Sequence, residues 1–287
     1  MEDHFLKSTN KVFITCKDHT VTGEDFELLL DEDREMLITF PRPDKKNLPK
    51  YYKSEAYISH TDSTSSLKDK IYQQVKKFML RKKLNWINKK FPEKGKLLDV
   101  GAGTGDFLAV AKKKGWKVKG IEPEISAREK ASKKGIKLYE DSTHFKSEKF
   151  DVITMWHVLE HVPDLKAQII ELELLLKKNG LLIIAVPNFK SYDAEYYKEF
   201  WAAYDVPRHL YHFSRNSFKS VFSGTSFKQS DSKPLVFDSY YVSLLSEKYR
   251  SGKTNFLKSL YIGYISNLKA KSTSEYSSIA YFFRKRG

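Results

Sequence analysis

The segment Leu97-Leu98-Asp99-Val100-Gly101-Ala102-Gly103-Thr104-Gly105-Asp106 constrains this chain more than any other. An apolar run enters a loop with glycine at alternate positions, and helix-forming residues follow. Glycine adopts positive φ without steric penalty and lets a ligand approach the backbone closely. The helix start beyond the loop offers N–H groups with no partner inside the helix, at the positive end of its dipole. A strand–loop–helix turn of this kind belongs to a doubly wound α/β sheet. Dinucleotide sites use Gly-x-Gly-x-x-Gly. Here the third glycine comes one residue early, at Gly105, and Asp106 stands where that pattern has glycine. Asp99 lies just ahead of the loop. A carboxylate there repels a pyrophosphate and attracts an ammonium, so the loop suits a cationic ligand without phosphate. Glu122, in Gly120-Ile121-Glu122-Pro123, ends the next apolar stretch. An acid about 20 residues past the loop pairs with ribose hydroxyls in doubly wound folds.

Strand and helix patterns alternate from this loop onward. Strands are predicted over residues 96–100, 116–121, 136–139, 150–155 and 181–186, and helices over 106–114, 124–134 and 165–178. Gly115, Gly135 and Asn179-Gly180 close the three helices. Strict alternation predicts an α/β fold, a parallel sheet with helices on both faces. Weaker patterns suggest a helix over 216–222, strands over 226–236 and 277–283, and a helix near 256–268 between those strands. The late strands would complete a seven-stranded, mostly parallel sheet. Upstream, Ile71, Val75, Phe78, Met79, Leu80, Trp86 and Ile87 recur near helical spacing, which predicts one long helix from Leu67 to about Lys90. Residues 1–60 show little sustained periodicity. The expected division is a small segment over 1–60, a helical connection over 61–94 and the α/β domain over 95–287.

The chain has 287 residues, enough for that domain and an extra segment. No apolar run reaches the ~20 residues of a membrane span, and the N-terminus lacks a signal-peptide core. With the single cysteine, Cys16, excluding an internal disulfide, a cytoplasmic location without a membrane partner is expected. The formal charge is +15, from 51 Lys+Arg against 36 Asp+Glu. Such a field attracts nucleic acid. The lysines, however, cluster as Lys76-Lys77, Lys82-Lys83, Lys112-Lys113-Lys114 and Lys133-Lys134 on predicted helices. Solvated helix faces are therefore the favoured reading, and a nucleic-acid partner is the less favoured one.

In order, LLDVGAGTGDF, GIEP, FDVITMWHVLEHVPD and GLLIIAVPN resemble the motifs of class I S-adenosylmethionine-dependent methyltransferases, strongly over residues 96–188 and more weakly outside them. The resemblance implies a Rossmann-like seven-stranded sheet, S-adenosylmethionine as cofactor, and methyl transfer. By position it implies that Asp99, Gly101, Gly103 and Gly105 hold the methionine part and ribose. It assigns the ribose to Glu122, followed by Pro123, and the adenine amine to Asp141 or its neighbour Glu140. It places Met155, Trp156 and His157 on the methionine side. Leu159-Glu160-His161-Val162 resembles the branch that includes quinone-biosynthesis methylases and sugar- and metabolite-modifying enzymes, which implies a small-molecule acceptor methylated on O, N or C. The Asn-Pro-Pro-Tyr motif of nucleic-acid amino-methylases is absent. An RNA or protein acceptor, or a cofactor-binding module without turnover, are the alternative readings. The sequence names neither the acceptor nor the oligomeric state.

Residues 1–60 resemble, more loosely, a subgroup with a small zinc ribbon ahead of the methyltransferase domain. Phe40-Pro41-Arg42-Pro43 and the stretch from Tyr51 to His60 carry that likeness, but the paired cysteines are missing. Asp31 and Arg34 stand where a second Cys-x-x-Cys would fall. A degenerate ribbon without zinc is expected, because Cys16, His4 and His19 supply no closed tetrahedral ligand set. Tyr57 and His60 are then candidates for a lid over the cofactor.

Methyl transfer from a sulfonium is an in-line displacement at an activated carbon, so an enzyme mainly positions and desolvates. A hydroxyl or carbon-acid acceptor also needs a base. Residues 201–214 follow the fifth predicted strand, where ligands bind outside the carboxyl ends of such sheets. There Arg208 is expected to grip a carboxylate or phosphate of the acceptor. The candidates to take a proton are His157, His161, His209, His212 and Tyr57, with His161 expected rather to brace its loop. The competing reading makes the aromatic residues core, Asp205 and Arg208 a local ion pair, and the histidines structural.

Overall fold

The computed structural model describes residues 11–44, 47–52 and 67–286. In chain order the elements are β1 (Lys11–Lys17), β2 (Asp25–Asp31), β3 (Met36–Phe40), α1 (Leu67–Lys90), β4 (Lys96–Val100), α2 (Asp106–Lys113), β5 (Lys117–Ile121), α3 (Ile125–Lys133), β6 (Leu138–Tyr139), β7 (Phe150–Trp156), α4 (Leu165–Leu175), β8 (Leu176–Pro187), α5 (Tyr192–Tyr197), β9 (Tyr211–His212), α6 (Arg215–Val221), β10 (Phe227–Pro234), α7 (Asp238–Ser251), α8 (Phe256–Thr273) and β11 (Ser278–Lys285). Seven strands form the main sheet in the order β10-β11-β8-β7-β4-β5-β6. Five of them, β8 to β6, run parallel, and β11 is antiparallel to both of its neighbours. The expected seven-stranded, mostly parallel architecture is the one observed.

Period-two alternation splits the strand residues between two cores. Leu98, Val100, Ile153, Met155, Leu182, Ile184, Tyr281 and Phe283 pack with α4 and α6 on one face. Leu97, Val152, Leu181, Ile183, Ala280 and Phe282 pack with α1, α2 and α3 on the other. A sheet covered on both faces reads as near-continuous apolar strands, which is why LLDV and GLLIIAV were recognisable in sequence.

Two boundaries differ from expectation for a packing reason. Helix α4 stops at Leu175 rather than 178, because Leu176 turns extended, is buried, and pairs with Phe150 of β7. The carbonyl of Leu176 also accepts from Lys285 Nζ at 3.0 Å. Strand β6 is only two residues long, since Ile136 is used to cover α2 and α3 instead. Helix α7 was not foreseen at all.

The N-terminal strands form a second, antiparallel sheet in the order β1-β2-β3-β9. Its last strand comes from the segment after β8, with Leu37 opposite His212 and Ile38 opposite Tyr211. Asp31 and Arg34 close the β2–β3 turn as an ion pair of 2.6 Å, with Asp31 fully buried. Phe26, Leu28, Leu37, Trp201, Tyr204 and Val206 share a third core with Val242 of α7 and Ile262 of α8. Among the described residues, no helix is long and apolar enough to cross a membrane.

One buried cation ties this sheet to the main domain. Arg208 is 1% exposed. Its Nη2 donates to Asp18 Oδ1 at 3.0 Å and to Asp205 Oδ1 at 2.7 Å, and its Nη1 donates to the Tyr51 carbonyl at 3.0 Å. Asp18 in turn accepts the backbone N–H groups of Thr20, Val21 and Thr22. Removing one partner of a buried charge cluster strands the others in low dielectric. Arg208→Met should therefore cost about 3–5 kcal/mol, measured by urea unfolding. A loss below about 1 kcal/mol would place Arg208 among ordinary surface pairs.

Candidate cofactor and active site

The chain builds β4, β5 and β6 outward, then returns to lay β7 against the other side of β4. The loops diverge at that reversal, and such a crevice is where doubly wound sheets bind ligands. The glycine loop leaves β4 there and residues 156–158 leave β7. Gly101 has φ +69°, and a Cβ on it would stand 2.4 Å from Val158 Cγ2, so the two loops touch at this point. Gly103 has φ +52°, but a Cβ on it would meet nothing within 4 Å. It faces open space. Gly105 instead lets α2 sit close to Ala131 and Ile136.

Glu122, just past β5, reaches back to this loop. Its Oε2 accepts the Gly103 N–H at 2.8 Å and its Oε1 accepts the Glu124 N–H at 3.0 Å. Each carboxylate oxygen keeps a further lone pair for a ribose diol. Arg128 fixes the turn by donating to the carbonyls of Glu122 and Pro123 at 2.7 and 2.6 Å.

Asp99 is buried at the crevice floor and accepts from Thr154 Oγ1 at 2.6 Å, its register partner on β7. Burial pushes the Asp99 carboxyl up to about 7, against the Thr154 hydrogen bond and the nearby Lys83. Lys83 arrives from α1 and lies 4.2 Å over the Trp156 ring, with its own pKa lowered by burial. Trp156 packs edge-on against Phe107, and its buried Nε1 has no hydrogen-bond partner among the described residues.

His157 follows in a left-handed conformation, φ +58°. Its Nε2 lies 3.0 Å from Asp238 Oδ2, at the start of α7, and its Nδ1 lies 3.5 Å from Glu160 Oε1. Burial works against its charged form, yet the Asp238 and Glu160 carboxylates outweigh burial and raise its pKa to about 9. The two carboxylates favour the protonated ring and engage both of its nitrogens, which counts against the expectation that His157 takes a proton.

The other expected site residues divide. Asp141 caps the turn at 142–145, accepting from Thr143 N at 2.9 Å, and it stays well exposed beside His144. Glu140 is exposed and 3.8 Å from Arg128. Both lie at the end of β6, on the side of the crevice occupied by Glu122. Tyr57 and His60 lie outside the described residues. Arg208 is not available to grip an acceptor, because its guanidinium is buried among Asp18, Asp205 and backbone carbonyls. His212 is buried in β9 with Nε2 3.0 Å from Thr39 Oγ1, and burial holds its pKa far down. His209 is buried too, its Nδ1 donating to the Ala203 carbonyl at 2.9 Å. His161 braces its loop by donating from Nδ1 to the Arg208 carbonyl at 3.0 Å, and burial holds its pKa down at about 4. Trp201, Tyr204, Leu210, Tyr211 and Phe213 are core. Residues 201–214 thus join the two sheets.

Sequence reasoning missed Thr154, Lys83 and Asp238. Thr154 had a signal, since β4 and β7 are neighbours and it is the polar residue in an apolar strand. Lys83 and Asp238 reach the crevice from distant elements and had none.

The model of a methyltransferase domain matches residues 72–229, more than half of the chain. The chain belongs to the methyltransferase-domain family. It is 36% identical over 107 residues to the ubiquinone biosynthesis O-methyltransferase of Actinobacillus pleuropneumoniae serotype 7 (strain AP76), covering 32% of this chain and 46% of that protein. The same protein of Histophilus somni (strain 2336) is also 36% identical over 107 residues, covering 45% of its length. The match thus spans about half the length of these curated relatives. Among solved structures, magnesium protoporphyrin IX methyltransferase from Synechocystis PCC 6803 with bound SAH superposes with a TM-score of 0.56 at 15% identity, over 84% of this chain and all of that one. Coclaurine N-methyltransferase bound to N-methylheliamine and SAH gives 0.51 at 16% identity, over 79% and 76%. At these identities the likeness is one of fold.

S-adenosylmethionine is the cofactor of this methyltransferase fold, and the crevice suits it. Among the described residues, the space at Gly103, the Glu122 carboxylate and the buried acid Asp99 lie together at this crevice. Gly103→Val should abolish cofactor binding, since its side chain would project into that open space. The left-handed backbone adds a stability cost of about 1–2 kcal/mol. Calorimetry with S-adenosylmethionine on the folded variant checks this, and undiminished affinity would refute the placement.

His157 carries a pH signature. Its folded pKa lies above the ordinary 6.5, at about 9. Its contribution to stability is complete below pH 6.5 and is lost as pH rises through about 9. The stability difference between wild type and His157→Gln should shrink across that window in urea unfolding at stepped pH. A constant difference would mean that the ring is neutral throughout.

Proposed function

We propose that this methyltransferase moves the methyl group of S-adenosylmethionine to an O, N or C atom of a small-molecule acceptor. The observation that carries the reading is the Glu122–Gly103 cradle beside open space at the β4–β7 crevice. Its likeness to ubiquinone biosynthesis O-methyltransferases supports a small acceptor. When bound, the cofactor supplies an electrophilic methyl on a sulfonium. Asp99, the glycine loop, Glu122 and the Trp156–His157 turn would hold it, and Asp141 or Glu140 would meet the adenine edge.

In this reading His157 contributes a fixed charge. Its two nitrogens face Asp238 and Glu160, so that charge orients the turn after β7. We assign the 1–60 segment to a degenerate ribbon, with the Asp31–Arg34 pair standing where a second cysteine pair would clip the β2–β3 turn. The helical connection over 61–94 then delivers Lys83 to the crevice, and 95–287 is the catalytic domain.

Titration with S-adenosylmethionine and S-adenosylhomocysteine is the direct test, and no heat at millimolar ligand would sink the proposal. Glu122→Ala should weaken binding by about 2–3 kcal/mol, roughly 30–150-fold, through loss of charge-assisted bonds to the ribose. Glu122→Gln should lose less, since an amide oxygen still accepts. If Ala and Gln behave alike and change affinity only a few-fold, the ribose is held elsewhere.

A further inference from the structure

Beside the crevice, the carboxylate of Glu160 and the rings of His161 and His209 converge. Glu160, His161 and His209 each place a ligand atom within 4.8 Å of those of the others. Glu160 is 1% exposed, and neither carboxylate oxygen has a hydrogen-bond partner among the described residues. The His157 ring, 3.5 Å from Oε1, offsets part of the cost of burying this charge but makes no hydrogen bond to it, and Oε2 has no partner among the described residues. A buried carboxylate oxygen left unmet is costly unless something else satisfies it.

The two imidazoles are set up in the same way. His161 Nδ1 lies 3.0 Å from the Arg208 carbonyl, and His209 Nδ1 lies 2.9 Å from the Ala203 carbonyl. A carbonyl oxygen only accepts, so each Nδ1 carries a proton and Nε2 is the nitrogen left to bind an ion. Metal-ligating histidines are held in this manner, one nitrogen donating to a backbone carbonyl while the other binds the ion. The frame is stiff as well. Leu210 N donates to the Glu160 carbonyl at 2.7 Å, which locks the turn at 159–161 against residues 208–210. Asp205 adds a fourth oxygen, with Oδ2 3.9 Å from His209 Nε2.

We propose that Glu160, His161 and His209 form a binding site for one divalent first-row transition-metal ion of the zinc type. Two imidazoles and one carboxylate suit such an ion and leave positions for water or Asp205. The ligands would have to draw together, since zinc bonds of about 2.0–2.2 Å require closer spacing than 4.8 Å. Missing thiolates near the N-terminus do not bear on this site, whose donors are nitrogen and oxygen from two other segments. The proposal does not depend on methyl transfer, and its test reads the metal alone.

The full chain, stripped with a chelator and dialysed, is titrated with Zn²⁺ by calorimetry and then analysed for bound metal. One equivalent per chain is expected, retained in a control at the exposed His144, His144→Ala. Glu160→Gln and His209→Ala should each lose affinity by about 100-fold or more, beyond the loss typical of outer-shell changes. Should a variant fail to fold, nitrogen NMR of the wild type decides. Zinc should shift Nε2 of His161 and His209 and leave their Nδ1–H signals in place. No stoichiometric zinc, binding untouched by both substitutions, or unshifted Nε2 resonances would each overturn the site.

Discussion

The return of β7 to the free side of β4 is the constraint on which the site depends. Had β7 added beyond β6, the loops after successive strands would all bend the same way and leave no crevice. Because it pairs with β4, Asp99 comes opposite Thr154 in register, and the 2.6 Å hydrogen bond between them crosses the two strands that diverge into the ligand space. Gly101 against Val158 is a consequence of the same pairing, and Gly103 against Glu122 follows from the pairing of β4 with β5 on its other side. The crevice is therefore held from below by backbone pairing and from the side by one carboxylate.

A second constraint works at a distance. The segment after β8 contributes β9 to the N-terminal sheet, so that sheet is completed only by the main domain. Arg208 anchors the junction through Asp18, Asp205 and the Tyr51 carbonyl, and His161, His209 and His212 are engaged by Arg208, Ala203 and Thr39. Burial, which makes each of these groups expensive when unpaired, also makes the junction specific. The carboxylates of Asp238 and Glu160 act the other way on His157, holding a charge at the crevice that a solvated histidine would lose near neutrality.

How much was readable before folding follows from the range of each interaction. The glycine loop, Glu122 and the strands that flank them depend on spacing within one β-α-β unit, and they were found in place. The N-terminal strands were not, because their alternation is weak: β1 leaves Val12 and Phe13 half exposed, and β3 gains a partner from residues far along the chain. Helix α4 was read too long, since helical periodicity runs on past Leu175 while the sheet claims Leu176. Arg208 and His212 looked like acceptor-facing groups because charge and aromatic content mark a loop as functional. Only their burial reveals that they are structural.

The sequence by itself determined the sheet type, the place of the glycine loop and the acid Glu122 that meets it, because local turn chemistry and period-two alternation are properties of contiguous residues. Only the tertiary structure decided the protonation of His157, the structural duty of Arg208, and the meeting of Glu160, His161 and His209. Those outcomes depend on which distant groups are brought into one low-dielectric volume. Coulomb attraction and desolvation act through space between residues 81 and 190 positions apart, and nothing in the order of residues records such distances.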